Sequence, residues 1–176
     1  AAVHLLHRDP DAVMVMVTAD HYIVDVAQFR AALAAAAAVA DEGAIVTLGI
    51  KPSFGDTRFG YIELGPAQQI VDGFRVYASA GFREKPDTKT ANAFYEGGRH
   101  AWNSGMFIWR ADRLLAEFQR QLPESYDALM RIKAALGTPD AQVTLEREWP
   151  NVRRVSIDYG IMEHAENVSV IPVEIG

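Results

Sequence analysis

The stretch from Val13 to Val17 reads Val-Met-Val-Met-Val and is apolar at every position. Such a run is typical of a strand that is covered on both faces in a parallel sheet. A second buried strand is expected from Ala44 to Ile50, and an alanine-rich helix from about Val26 to Asp41 lies between the two. Asp25 is a suitable N-cap for this helix, and Gly43 is suited to the position just past its end. The three elements predict a βαβ unit, whose crossover is almost always right-handed.

The remainder of the chain alternates further strands and helices. Strands are expected at 61–64, 74–83, 106–109 and 168–173, with a Gly-Pro turn at 65–66. Helices are expected at 88–96, from 112 onward, from 123 to about 136, and at 158–165. The buried stripe of the alanine-rich helix is expected to consist of Phe29, Leu33, Ala36, Ala37 and Ala40. The chain is therefore predicted to be one α/β domain, residues 1–176, with a mixed, mostly parallel sheet flanked by helices.

The composition of the 176 residues excludes several classes of protein. Hydrophobic residues make up 49% and charged residues 23%, which is enough for a folded core and argues against intrinsic disorder. The chain has 17 Lys and Arg against 23 Asp and Glu, a formal charge of -6 and no basic block, so no nucleic-acid partner is expected. No apolar run approaches the roughly 20 residues that span a bilayer, and the first residues show no charged region followed by an apolar one, so secretion is not expected. The protein is therefore expected to be cytoplasmic, with no membrane partner.

The residue types and motifs that the chain lacks exclude several kinds of catalytic and metal-binding site. The chain has no cysteine, which excludes a disulfide, a thiol nucleophile and a Cys-ligated metal. Its histidines lack the H-x-H and H-x-x-x-H spacings of a zinc site, and there is no G-x-S-x-G nucleophile elbow. There is also no G-x-G-x-x-G or Walker A loop. Either nucleotide phosphates are not bound in this way, or the loop lies upstream of residue 1.

Asp20 follows the first apolar strand directly, in the sequence Thr-Ala-Asp-His. Open α/β sheets place their ligand chemistry at the carboxyl ends of the strands. A single carboxylate there suits Mg²⁺, a hard cation that is often shared with substrate phosphates. The alternative, that Asp20 only caps a turn or the next helix, is equally well supported by the residues alone.

Glu84 and Lys85 form a second candidate, in Arg-Glu-Lys-Pro-Asp at the end of a strand. Pro86 is expected to hold Lys85 extended and so to aim its ammonium in one direction. Adjacent strand residues point to opposite faces, so the two side chains need not pair. A glutamate that accepts from sugar hydroxyls beside a lysine that meets a phosphate would bind a sugar phosphate. Taken in isolation, an ordinary solvated charge pair is the favoured interpretation.

Three further positions are candidates for a binding site. Asn103, in Trp-Asn-Ser-Gly-Met-Phe, offers a donor and an acceptor to hydroxyl groups; the alternative is a core role for Trp102 and a turn at Asn103. Gly60, in Phe-Gly-Tyr, allows a ligand to approach the backbone closely, or simply forms a turn. Asp158, in Ser-Ile-Asp-Tyr-Gly, opens a short helix, and an N-cap role for Ser156 or Asp158 is the favoured interpretation there.

These segments together resemble the mannose-1-phosphate guanylyltransferases. The matching segments, in that family's order and approximate spacing, are Thr18–His21, Phe59–Ile62, Glu84–Asp87, Trp102–Phe107 and Ser156–Glu163. Trp-Asn-Ser-Gly-Met-Phe and Ser-Ile-Asp-Tyr are specific, whereas Glu-Lys-Pro is shared by many nucleotide-sugar pyrophosphorylases. The resemblance implies a Rossmann-like nucleotide-diphospho-sugar transferase fold. It also implies an enzyme that converts GTP and mannose 1-phosphate into GDP-mannose and pyrophosphate with Mg²⁺.

The resemblance implies a role for each candidate residue. Asp20 would be a metal ligand and, with Lys85, a catalytic residue. Glu84 and Asn103 would hold the mannose hydroxyls, with the backbone of residue 60 close by. Lys85 would also meet the sugar phosphate, and Asp158 would help to shape the sugar side, although capping remains its favoured role.

Two parts of the family's pattern do not match. Its glycine-rich loop would lie before residue 1 and its second metal-ligand segment after Gly176. The sheet is therefore expected to be incomplete at both ends, and the chain as given to bind sugar phosphate weakly and to lack turnover. An exposed sheet edge would favour association, which leaves a homo-oligomer open. A nucleotidyltransferase specific for glucose 1-phosphate or another nucleoside triphosphate, and a non-catalytic sugar-phosphate-binding module, also remain open.

Overall fold

The computed structural model of the protein describes residues 1–175. Its helices are α1 Ala2–Arg8, α2 Val26–Asp41, α3 Thr88–Gly97, α4 Ala111–Gln121, α5 Pro123–Ala135, α6 Ala141–Glu148 and α7 Ile157–Gly160, with 3₁₀ turns at Trp149–Asn151 and Met162–His164. Its strands are β1 Val13–Met16, β2 Ile45–Ile50, β3 Tyr61–Val71, β4 Phe74–Arg83, β5 His100–Arg110 and β6 Val168–Val173. They form one sheet in the order β1-β5-β2-β6-β4-β3, in which β3 also pairs with β5. The predicted α/β fold is confirmed.

The directions of the strands differ from the prediction. Within residues 1–175, β2 and β6 pair in parallel and the other five pairings are antiparallel, so the expectation of a mostly parallel sheet is wrong. The reason is β5, which lies between β1 and β2 and runs antiparallel to both. β1 and β2 therefore share one direction without being neighbours, and the predicted βαβ unit is split by a strand that comes later in the chain.

Helix α2 begins and ends as its sequence predicts. Asp25 Oδ1 accepts a hydrogen bond from the Gln28 N–H at 2.8 Å, which is an N-cap. Gly43, just past the helix end, has a left-handed backbone with φ +94°. The buried stripe agrees with the prediction only in part, because the smallest side chains face the sheet. Its fully buried members are Ala32, Ala35, Ala36, Val39 and Ala40, whereas Phe29, Leu33 and Ala37 are partly buried.

Strand β1 lies at the edge of the sheet. Its composition predicted a strand covered on both faces, and this prediction is wrong. Val15 is 41% exposed and Val17, just past the strand, is 55% exposed, whereas Met14 is buried. In the described part of the chain, β5 is the partner of β1.

No helix among residues 1–175 is long and apolar enough to cross a bilayer.

Other elements are longer than predicted or were not expected. β3 continues through residues 65–66, where a Gly-Pro turn was predicted, and the hairpin turn lies at 72–73 instead. Pro66 falls in a break of register between Leu64 and Ala67, a place where a strand tolerates a residue without an N–H. β5 starts at His100, so that Asn103 lies inside a strand, and α6 is not predicted by any sequence pattern.

Candidate functional site

The register of the sheet brings three of the candidate residues together. Tyr61, the first residue of β3, pairs with the last residue of β4 on one side and with Trp102 of β5 on the other. One step further along the two antiparallel ladders, Gly60 lies between Glu84 and Asn103. These three residues come from separate segments of the chain, and only the sheet makes them neighbours.

Gly60 is where the backbone makes its closest approach to these side chains. Its carbonyl oxygen accepts a hydrogen bond from the Asn103 N–H at 2.8 Å. A Cβ added at Gly60 would overlap Glu84 Oε2 and would lie 3.3 Å from the Asn103 Cβ. The Glu84 side chain is only 9% exposed, so it has little room to move aside. A glycine is therefore needed here to leave space for the glutamate carboxylate.

A β-bulge in β5 orients Asn103. Opposite β2, Thr47 pairs with Phe107 and Gly49 pairs with Asn103, so that residues 104–106 lie opposite the single residue 48. Gly105 in the bulge has φ +71°, and its N–H donates to Asn103 Oδ1 at 3.1 Å. The Thr47 hydroxyl donates to the same oxygen at 3.3 Å. Bulges are common beside active sites because they redirect a side chain, as this one redirects the Asn103 amide.

Asp158 faces this amide and does not cap its helix. Asn103 Nδ2 donates to Asp158 Oδ1 at 2.9 Å. Ser156 is the N-cap of α7, since its hydroxyl accepts from the Tyr159 N–H at 3.4 Å. The capping role considered for Asp158 therefore belongs to Ser156, and Asp158 joins the cluster formed by residues 60, 84 and 103.

Lys85 turns back onto Glu84. Its Nζ lies 3.1 Å from Glu84 Oε1, and its backbone has φ +43°, in the left-handed region. The expectation of an extended Lys85 is thus wrong. The two side chains pair, which the alternation of faces along a strand does not prevent here because β4 ends at Arg83. Pro86 favours an extended conformation for Lys85, but the backbone of Lys85 adopts the left-handed one. A non-glycine residue held there costs about 1–3 kcal/mol, and such residues cluster at functional sites.

Negative charges outnumber positive charges in this cluster. The hydrogen bond from Lys85 to Glu84 and the attraction between their charges raise the pKa of the Lys85 ammonium, and Asp158 adds to the rise. Glu163 contributes a third carboxylate, whose Oε1 accepts from the Glu84 N–H at 3.4 Å. The cluster thus contains three carboxylates and one ammonium, that of Lys85, whose side chain is 55% exposed. An anion bound here requires positive charge beyond that of Lys85.

Asp20 lies outside the cluster, in an exposed loop after β1. β1 pairs with β5 through Met16 and Phe107, so the loop leaves the sheet beside the bulge, where the Thr18 methyl faces Gly105. Within residues 1–175 no group of three or more His, Asp or Glu side chains could hold a metal ion by itself. Asp20 can supply one oxygen ligand to a hard cation, and the remaining ligands would have to be phosphate oxygens and water.

The loop 51–60, which ends at the site, is held by contacts with the aromatic side chains of Trp102 and Tyr61. Trp102 packs against Phe59 with ring centroids 4.7 Å apart. The Tyr61 hydroxyl accepts from the Asp56 N–H at 2.8 Å and donates to the Asp56 carbonyl at 3.0 Å. Trp102 is therefore a packing residue, the alternative considered for it, and it supports the backbone next to the site.

Sequence reasoning missed two residues of the site. Thr47 is a fully buried hydroxyl inside an otherwise apolar strand, and this isolated polar position is a signal that could have identified it. Glu163 belongs to one of the matching segments, but its role depends on a contact with residue 84 that no local pattern indicates.

Comparison with known proteins identifies the family of the chain. A profile of the nucleotidyl transferase family matches residues 1–155. The xanthan biosynthesis protein XanB of Xanthomonas campestris pv. campestris (strain B100) is 36% identical over 178 residues, which cover 100% of this chain and 37% of that protein. A mannose-1-phosphate guanylyltransferase of Escherichia coli (strain K12) is 34% identical over 169 residues, covering 96% of this chain and 35% of that protein.

The fold of the chain is also similar to that of a solved structure. The crystal structure of a mannose-1-phosphate geranyltransferase from Thermus thermophilus matches with a TM-score of 0.86 and 32% sequence identity. The match covers 99% of this chain and 48% of that one, and the chain spans 37% or less of the two curated relatives above. The resemblance to mannose-1-phosphate guanylyltransferases predicted from the motifs is confirmed, and the chain belongs to the nucleotidyl transferase family.

Proposed function

We propose that this chain forms the sugar-phosphate side of a mannose-1-phosphate guanylyltransferase, which joins GTP and mannose 1-phosphate into GDP-mannose and pyrophosphate. In this proposal residues 1–176 are part of a single nucleotidyltransferase domain that acts in the cytoplasm, where nucleoside triphosphates are abundant. The observation that carries the proposal is the convergence of five residues from four separate parts of the chain. They are Gly60, Glu84, Lys85, Asn103 and Asp158.

The cluster offers what a sugar hydroxyl needs. Glu84 and Asp158 provide fixed carboxylate acceptors, and the second N–H of Asn103 Nδ2 remains a donor after the bond to Asp158. Gly60 has no side chain to keep a sugar ring away from the backbone. We assign the mannose hydroxyls to these groups and the phosphate to the exposed ammonium of Lys85.

The chemistry of the reaction fits these residue types. An oxygen of the sugar phosphate attacks the α-phosphorus of GTP, and the bond from that phosphorus to the bridging oxygen of the β-phosphate breaks, releasing pyrophosphate. The attacking phosphate is largely ionised at neutral pH, since its second pKa is about 6, so no general base is required. The residues have to position two anions in line and neutralise their charge, and Lys85 supplies one positive charge for this.

A divalent cation, Mg²⁺ in this proposal, supplies the additional positive charge when it is bound. Nucleotidyltransferases of this type generally use a divalent metal. We assign Asp20 as a ligand of this cation. Its exposed carboxylate makes no hydrogen bond or ion pair with residues 1–175, and carboxylate oxygens are ligands that Mg²⁺ prefers.

Lys85→Ala should weaken the binding of mannose 1-phosphate about tenfold, because a charge-assisted hydrogen bond to the phosphate is lost. Titration calorimetry measures the affinity. The matched control is Lys89→Ala, which removes an exposed lysine from α3 in the same region of the chain. Equal affinities of wild type and Lys85→Ala would remove Lys85 from the site.

Asp20→Asn should lower the affinity for Mn²⁺, used as a paramagnetic substitute for Mg²⁺, about tenfold when mannose 1-phosphate is present. The amide keeps an oxygen but loses the charge that a hard cation prefers. Paramagnetic broadening of the sugar-phosphate signal in phosphorus NMR reports cation binding near the phosphate. Asp72→Asn, in the hairpin turn at the far end of β3, is the control. A cation affinity unchanged in Asp20→Asn would discard this ligand assignment.

A further inference from the structure

Helix α4 contains a buried carboxylate that the proposed reaction does not use. Glu117 is 1% exposed. Arg113 Nη1 lies 2.7 Å from its Oε1, while Arg120 Nη2 and Gln121 Nε2 each donate to its Oε2 at 2.7 Å. Burial by itself raises the pKa of Glu117, but the hydrogen bonds from Gln121, Arg120 and Arg113 outweigh it and hold this pKa below its usual range. The group is therefore a charged carboxylate with its oxygens fully bonded.

The three donor side chains also bond to the backbone of the segment 161–166. Their acceptors are the carbonyl of Glu166 for Arg113 at 2.8 Å, that of Ile161 for Gln121 at 3.0 Å, and that of His164 for Arg120. Each donor thus touches Glu117 with one N–H and the segment with another. The cluster fastens α4 to a stretch of backbone that contains only a 3₁₀ turn and has few hydrogen bonds of its own.

This fastened segment supports the proposed sugar site at two points. Asp158, in α7 immediately before it, accepts from Asn103 Nδ2 at 2.9 Å. Glu163, within it, accepts from the Glu84 N–H at 3.4 Å. Glu84 and Asn103, two of the residues assigned to the mannose hydroxyls, are therefore both hydrogen-bonded to residues 157–166. The cluster around Glu117 holds the backbone carbonyls at positions 161, 164 and 166 of this stretch.

Stability alone does not account for such a cluster, since a buried ion-pair network can often be replaced by apolar side chains at no cost in stability. We infer that Glu117 is a positioning residue, which holds residues 157–166 so that Asp158 and Glu163 keep Asn103 and Glu84 in their binding geometry. The inference rests on the proposed function for its consequence in binding, and on the contacts of Glu117 for its geometry.

The protein offers a matched control in Glu148. This second buried glutamate receives Arg131 Nε at 2.7 Å and Arg147 Nε at 2.9 Å, and it connects α5 to α6 without a hydrogen bond to residues 157–166. Glu117→Gln and Glu148→Gln each replace a buried, arginine-bonded carboxylate by an amide. Both variants should unfold at a lower temperature than wild type, so a purely structural effect should appear in both.

The test measures three properties of the 176-residue chain well below its unfolding temperature: its affinity for mannose 1-phosphate, the NMR signals of the Asn103 side-chain amide and hydrogen exchange at residues 157–166. Glu117→Gln should weaken mannose 1-phosphate binding about tenfold, since a small displacement of binding groups is costly, while Glu148→Gln should bind as wild type does. Glu117→Gln should also shift the NMR signals of the Asn103 side-chain amide and speed hydrogen exchange at residues 157–166. If Glu117→Gln does not fold, Gln121→Leu, which removes the bond to the Ile161 carbonyl without deleting a charge, replaces it.

Each result decides the inference. Equal losses of affinity in the two glutamate variants, or an unchanged Asn103 amide signal in Glu117→Gln, would overturn it. If the wild-type chain itself does not bind mannose 1-phosphate, the proposed function fails. The Asn103 signal and the exchange rates would then still show whether Glu117 fixes the geometry of this segment.

Discussion

Gly60→Ala should weaken mannose 1-phosphate binding by about tenfold to a hundredfold while the sheet stays folded. The added Cβ would overlap Glu84 Oε2, which is at the end of a side chain, so the overlap displaces the carboxylate from its position rather than the backbone of β3. Asn103 Cβ at 3.3 Å and Phe82 Cζ at 3.4 Å from the same Cβ limit the ways in which it can move. Calorimetric titration gives the affinity, and the expected cost in stability is about 1–3 kcal/mol for overpacking.

Gly81→Ala is the matched control for this substitution. Gly81 lies in β4, and a Cβ added there meets nothing within 4 Å. The control should bind mannose 1-phosphate as tightly as wild type. Full affinity in Gly60→Ala, or equal losses in the two variants, would show that the close approach at Gly60 has no part in binding.

Asn103→Asp should cause a comparable loss of binding by removing the side-chain NH₂ group, which is the donor both to Asp158 and to the sugar. The substitution keeps the shape of the side chain but replaces the donor that lies 2.9 Å from Asp158 Oδ1 with a second carboxylate oxygen. We expect a loss of about 1–3 kcal/mol in the free energy of unfolding and about tenfold in affinity at neutral pH. Chemical denaturation and calorimetric titration measure the two quantities.

The pH dependence and a double variant make this prediction specific. The paired carboxylates raise the pKa of the pair in the folded state, so the stability deficit of Asn103→Asp should grow as pH rises through that pKa and shrink as pH falls. The double variant Asn103→Asp with Asp158→Asn restores one amide opposite one carboxylate and should recover most of the stability. A deficit that is independent of pH and additive in the double variant would contradict a direct bond between the two side chains.

Local sequence patterns predict the elements of this fold better than their arrangement. The caps of α2 at Asp25 and Gly43 depend on neighbouring residues and are confirmed. The position of β5 between β1 and β2 depends on pairings between residues far apart in the chain, so neither the strand order nor the antiparallel majority follows from the apolar runs. The left-handed backbone of Lys85 was missed because proline favours an extended residue before it, and the folded chain departs from that local preference here.

For the candidate site too, the sequence predicts individual residues better than the contacts between them. Motifs identify Gly60, Glu84 and Asn103 separately, but their contact depends on the two ladders that meet at Tyr61. Glu117 carries no sequence signal, because a glutamate beside the apolar stripe of an amphipathic helix is usually a solvated residue. Its burial arises from donors on the neighbouring turns of α4 and from carbonyls far along the chain, which only the folded protein brings together.

Phosphorus NMR of the wild-type chain with mannose 1-phosphate, GTP and Mg²⁺ tests the central claim most directly, with glucose 1-phosphate in a parallel sample. The account predicts that the mannose 1-phosphate signal shifts and broadens on addition of protein, and that Gly60→Ala removes this change. It also predicts a weaker response from glucose 1-phosphate, since the site is assigned to mannose hydroxyls. A mannose 1-phosphate signal that stays unchanged beside a protein shown by circular dichroism to be folded would contradict the proposed sugar-phosphate site.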